Sequence, residues 1–172
     1  MAEKLAKSLI GMMGGLLSLS FGKELIVFII SMLPILELRG GLIAASLLKL
    51  PPLESYIIAI VGNVIPVPFI LLLINRILRA MEKSRFKLFK GIHSFLHKKI
   101  MKNKDSIEKY GFWGLVIFVG IPLPGTGAWT GAIIAAFLEM DRKKAFIGIL
   151  LGMLMASIIM MIISFGLISK VA

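Results

Sequence analysis

Glu37 and Arg39 stand two residues apart in an otherwise apolar stretch, between Pro34 and the glycine pair Gly40-Gly41. Ionisable side chains are costly in hydrocarbon and as a rule face a cavity or pair with one another. Arg39, with backbone N–H groups freed beside the glycines, suits an anion, and Glu37 suits proton exchange. The plain alternative is a structural pair that only locks the backbone. A near-repeat of this segment begins ninety positions on, at Leu123-Pro124-Gly125-Thr126-Gly127-Ala128-Trp129-Thr130-Gly131. Leu-Pro, Gly41/Gly131, Ile43/Ile133, Ala45/Ala135 and Leu48/Leu138 fall into register without a gap. The second copy has no charge in its break. Thr126 and Gly127 offer a hydroxyl and open backbone where a helix dipole favours negative charge, although Thr126 also fits a simple N-cap. Trp129 occupies the position of Arg39, and Thr130 follows it.

Asn63 adds a buried amide beside Pro66 and Pro68, able to satisfy freed backbone or touch a substrate. The expected substrate or proton site is thus Glu37, Arg39, Gly40, Gly41, Asn63, Thr126, Gly127, Trp129 and Thr130, with helix breaks at Pro34, Pro122, Pro124 and Gly125. His93 and His97 have a metal-compatible spacing but lack a third ligand and lie among positive charges, which favours solvated surface residues. With no cysteine, no histidine at membrane depth and no paired carboxylates, neither an enzyme nor a cofactor is expected.

The elements that must position these residues follow from composition. Hydrophobic residues make up 58% and charged residues 17%, and the mean hydropathy is +0.96. No ordinary soluble domain of this length has such a balance. The absence of alternating ten-residue stretches argues against a membrane barrel. An all-α integral membrane protein of one domain is expected. Two stretches are long enough to cross about 30 Å of hydrocarbon: Ser55–Ile74, bent by its prolines, and Ala145–Ile168. The segments flanking each break hold only eight to twelve residues, or about 12–18 Å of helix. Each pair therefore reads as a re-entrant hairpin.

Charge gives an independent check. Eleven of the twenty Lys and Arg lie between Arg76 and Lys109, and Arg142, Lys143 and Lys144 form a second cluster. Re-entry of the second hairpin puts both clusters on one side, as the positive-inside bias requires. A hairpin plus one crossing in each half gives inverted topology, which suits alternating access at a midplane site. The expected order is an N-terminal interfacial helix (1–23), a first repeat (24–78), a basic amphipathic cytoplasmic segment (79–110) and a second repeat (111–169). Gly11 and Gly15 make a GxxxG spacing in the first of these. The net charge of +11 then reads as contact with anionic headgroups at Arg76–Lys109 in an inner, plasma membrane, and not as nucleic-acid binding. A homodimer is compatible with so small a bundle.

At these residues the chain resembles the small multidrug export protein family, a branch of the wider DedA/VTT superfamily. The matching stretches are Leu33–Gly41, Gly62–Phe69 and Lys109–Gly131, the last being long enough to be specific. Leu42-Ile43-Ala44 stand where the family usually places a proline soon after the glycine pair, and the basic residues of DedA second hairpins are missing. The superfamily resemblance implies opposed re-entrant hairpins and the movement of polyprenyl phosphates or phospholipids between leaflets, with Glu37 and Arg39 as the hairpin acid and arginine. Three functions are therefore expected to compete. They are a lipid translocase, proton-coupled at Glu37; a proton-coupled exporter of small cationic drugs, with Trp129 as a stacking wall; and a membrane scaffold that transports nothing.

Overall fold

The structure is a computed structural model that describes residues 2–83, 109–123 and 125–167. The chain forms α1 (Ala2–Met12), a 3₁₀ turn (Gly14–Ser18), α2 (Gly22–Met32), α3 (Glu37–Leu47), α4 (Pro52–Val64) and α5 (Pro66–Lys83). It continues as α6 (Lys109–Gly120), α7 (Ala128–Phe137) and α8 (Arg142–Met161), whose last turn widens into a π-helix at Ile162–Leu167. No strand occurs among the described residues. The amphipathic helix expected beyond Lys83, with His93 and His97, lies outside them.

α4 and α5 are separated by one residue, Ile65, whose own backbone is helical (φ −53°, ψ −45°). Pro66 cannot donate to the preceding turn, so the ladder ends with the Ile65 N–H on the Val61 carbonyl at 3.2 Å, and Pro66 opens the next helix. The interruption falls within the expected span Ser55–Ile74, at its prolines. Two segments are long and apolar enough to cross a membrane, Pro52–Ile74 and Arg142–Gly166. They run antiparallel. Near one end the Ser157 hydroxyl donates to the Tyr56 hydroxyl at 3.1 Å, and near the other Phe146 lies beside Pro68 and Leu71. Arg76 and Arg142 accordingly stand at the same end.

The outer face of α4–α5 is a stripe of exposed Leu53, Ile57, Val61, Ile65, Phe69, Leu72 and Leu73. At 1.5 Å per residue it extends about 30 Å, the thickness of the hydrocarbon layer. Ile147, Leu151, Leu154, Ile158 and Ile162 continue this character on α8. Apolar faces this long belong against acyl chains and not water, so the protein is membrane-embedded.

Lipid tails are as apolar as leucine, so helix association there rests on close packing and hydrogen bonds and not on apolar burial. Glycines provide the packing. A Cβ at Gly41 would lie 1.9 Å from Ser31 Oγ, and one at Gly62 would lie 2.8 Å from the Phe28 carbonyl, which fixes α3 and α4 against α2. In the second half a Cβ at Gly131 would meet Val119 at 2.5 Å, and one at Gly152 would meet the Val116 carbonyl at 2.7 Å, which fixes α7 and α8 against α6. Gly40 and Gly41 are thus packing residues inside α3, and the break ends earlier than expected, at Leu36. α1 packs against α3 and fully buries Ala6. Gly11 and Gly15 meet no atom within 4 Å among the described residues.

The ninety-residue offset persists in the backbone. α3 and α7 both end on a left-handed residue at matching positions, Lys49 (φ 57°) and Glu139 (φ 53°). The next N–H then reaches back to an earlier carbonyl, Leu50 to Ala45 and Met140 to Ala135, at 3.0 Å in each case. These are paired Schellman caps. The residues opening the two helices match as well: Glu37 has φ 51° and Gly127 has φ 133°.

Candidate functional site

α3 and α7 are largely enclosed, with nine of eleven and seven of ten residues buried. They hold eleven and ten residues, about half of what a crossing needs. Their N-termini meet in the interior. The Glu37 carboxylate, 6% exposed, lies across the start of α7. Oε2 accepts the Ala128 N–H and Oε1 the Trp129 N–H, each at 3.1 Å. Gly127 has no side chain to cap the helix, so the cap comes from the other hairpin. Gly127 must also be glycine twice over: its φ is +133°, and a Cβ there would sit 2.0 Å from Glu37 Oε2. Glu37 itself pays a conformational cost of about 1–2 kcal/mol for its left-handed backbone.

Arg39 makes the complementary tie. Its Nη1 donates to the Leu123 carbonyl. Its Nη2 donates to the Thr126 carbonyl at 2.8 Å and to Thr126 Oγ1 at 3.0 Å. The guanidinium fork thus takes up carbonyls that the break around Gly125 leaves without helical partners. Thr126 Oγ1 lies 2.7 Å from the Ile121 carbonyl and 2.9 Å from that of Leu123, so its hydroxyl braces the loop and does not cap α7. The Trp129 indole donates to the Met32 carbonyl at 3.2 Å, at the end of α2. Each break is therefore completed by the other hairpin.

These groups border a cavity of about 10 Å³ lined by Glu37, Arg39, Asn63, Gly127, Ala128 and Met153, among others. That is room for roughly one water. Asn63 is 2% exposed, and its Oδ1 has no hydrogen-bond partner among the described residues. An orphaned buried acceptor costs about 1–3 kcal/mol, so a donor at this spot would be favourable.

The electrostatics are unbalanced. Two helix N-termini, each equivalent to roughly half a positive charge, and the Arg39 guanidinium converge on one carboxylate. The cluster remains net positive while Glu37 is ionised and becomes more so when it is neutral.

Of the residues expected from sequence, Glu37, Arg39, Asn63 and Gly127 meet at the cavity, and Thr126 and Trp129 tie its rim. Gly40, Gly41 and Thr130 are buried in their helices and do not border it. Pro34 is exposed in the first break, Pro122 and Gly125 shape the second, and Pro124 lies outside the described residues. Sequence reasoning pointed to open backbone at the start of α7 but missed that Glu37 fills it, and missed the carbonyls of Met32, Leu123 and Thr126 as partners. Residue type carries no signal for these. No group of three or more His, Cys, Asp or Glu able to hold a metal occurs among the described residues.

A family model described as "Putative small multi-drug export protein" matches residues 37–159, beginning on Glu37 itself. The match spans more than half of the chain, which therefore belongs to this family. No curated protein and no solved structure matches it.

Proposed function

We propose that this member of the small multi-drug export protein family is a membrane transporter, held here in an occluded state, whose substrate is a lipid with an anionic headgroup. The observation that carries this reading is the Glu37 carboxylate on the N–H groups of Ala128 and Trp129. A helix N-terminus is a ready anion site, and here the protein's own carboxylate fills it. Protonation of Glu37 weakens that hold. The α7 N-terminus, with the Arg39 guanidinium beside it, is then left to a phosphate or carboxylate arriving from either side, and a substrate anion competes with the internal one.

The net positive cluster disfavours a cationic substrate. The lip favours an amphiphile over a small soluble anion, since Ile35 is 82% and Leu123 56% exposed at the two breaks. In this reading the α2–α3 and α6–α7 pairs are re-entrant hairpins of opposite orientation, and the tie between them is the gate. The basic end, with Arg76 and Arg142–Lys144, faces the cytoplasm of a plasma membrane, and anionic lipid gathers along Arg76–Lys109.

Leaflet exchange in proteoliposomes tests this, using headgroup-labelled anionic phospholipid and polyprenyl phosphate. Wild type should accelerate exchange, and Arg39→Ala should lower the rate at least ~10-fold, the scale of one lost charge-assisted contact. Exchange by wild type no faster than in protein-free vesicles would exclude the reading.

The family description favours a second reading, proton-coupled export of small cationic drugs, in which Glu37 receives the cation. Uptake of a cationic dye into acid-loaded proteoliposomes separates the two, since protons leaving the vesicle would drive the dye inward. This reading requires Glu37→Gln to stop uptake and Arg39→Ala to spare it.

A further inference from the structure

Away from the Glu37–Arg39 cluster, a groove of about 300 Å³ opens between α5 and the start of α8, lined by Pro68, Leu71, Leu72, Arg142, Lys143 and Phe146. We infer that it is a binding site for one anionic glycerophospholipid, with an acyl chain in the groove and the phosphate on Arg142 and Lys143. The site does not depend on the transport reading.

The walls are carbon throughout. Arg142 and Lys143 therefore line the groove with their methylene stems, and both residues are exposed, so their charged heads stand at the mouth. An apolar slot with cations at one end has the polarity of a phospholipid. The volume falls at the lower end of ligand pockets, about 300–1,000 Å³. The slot lies where α5 and α8 present apolar faces to the bilayer, and Leu72 in its wall is half exposed. In a membrane such a slot is filled by a lipid tail.

The headgroup follows from charge. Among the described residues the single ion pair is Lys7–Glu3, so Arg142 and Lys143 have no carboxylate partner there. Asp141, the adjacent acid, is committed to its own helix and accepts the Lys144 N–H at 3.0 Å. Two uncompensated cations at a membrane surface favour an anionic over a zwitterionic lipid by on the order of ten-fold or more.

The test places a tryptophan in the groove as Phe146→Trp, in nanodiscs containing equal fractions of phosphatidylglycerol or phosphatidylcholine brominated on the acyl chain. The parent protein, which retains Trp113 and Trp129, supplies the background. Brominated phosphatidylglycerol should quench the new tryptophan more strongly than brominated phosphatidylcholine, and R142Q/K143Q should abolish the difference. Equal quenching by both lipids, or no quenching by either because protein covers the groove, would overturn the site. Native mass spectrometry provides a second reading without the Phe146 change. Wild type should retain phosphatidylglycerol that R142Q/K143Q loses, and equal retention also overturns the proposal.

Discussion

Glu37 Oε1 accepts the Trp129 N–H at 3.1 Å, so a carboxylate at the start of α3 caps α7, ninety-two positions along the chain. The bond joins the N-termini of two short helices in the interior, where bulk water has little access to replace it. Glu37→Gln keeps one acceptor oxygen, sets an amide donor against the other N–H, and loses the charge that strengthens the remaining bond and interacts with the α7 dipole. Hydrogen bonds to charged groups are worth about 1.5–3 kcal/mol, so a fall in thermal midpoint in detergent is expected. Lipid exchange by this variant should persist and become insensitive to pH. A midpoint equal to wild type would contradict the capping role.

Arg39 serves three acceptors at once. A lysine ammonium has no planar fork and cannot span the Leu123 and Thr126 carbonyls together. Arg39→Lys should therefore behave as a severe change despite its retained charge, with exchange reduced at least ~10-fold. Wild-type rates in Arg39→Lys would show that charge alone suffices.

Gly41 is held to glycine chiefly by Ser31 Oγ, which lies 1.9 Å from where an alanine Cβ would stand, with Ser31 Cβ at 3.1 Å and the Val27 carbonyl at 3.3 Å. Gly41→Ala should lower stability by about 1–3 kcal/mol through overpacking. Ser31→Ala removes the obstructing atom together with a hydroxyl that bonds the Val27 carbonyl at 2.7 Å. The double variant S31A/G41A should recover much of the loss. Additive losses, measured as thermal midpoints, would place the strain elsewhere.

Gly127 combines two constraints, a φ of +133° and the Glu37 carboxylate at 2.0 Å from a would-be Cβ. Gly127→Ala should cost more than ~2 kcal/mol. Pairing it with Glu37→Ser should remove the steric share and leave the backbone share. A coupling energy near zero in that double-mutant cycle would mean that the two residues do not touch.

Much of the site was legible because charged and helix-breaking residues are rare in lipid-facing sequence. Glu37, Arg39 and Asn63 stand out by type alone, and the glycine column Gly41/Gly131 marks both half-helices at the same offset. The interrupted ladder at Pro66 and the two long spans were equally readable. What could not be read is the pairing. Sequence left Glu37 and Arg39 to serve each other or a substrate, whereas each bonds the opposite break through backbone groups that every residue carries. The glycine pair was misleading for a related reason. A helix breaker and a close-packing glycine look alike until the neighbour, here Ser31, is known.

The mixed nature of the ties between the hairpins has a consequence for genetics. Except for the Thr126 hydroxyl, each of these ties sets a side chain against the main chain: Glu37 on two amides, Arg39 on two carbonyls, Trp129 on one. Main-chain groups survive substitution, so no compensating exchange at the partner position can restore a lost Glu37 or Trp129. A suppressor selection starting from Glu37→Ala should return no partner-site revertants at residues 128 or 129. It should instead yield changes that shift α7 bodily or supply a new acceptor from a neighbouring helix. Three side chains thus carry an obligation that their partners cannot share.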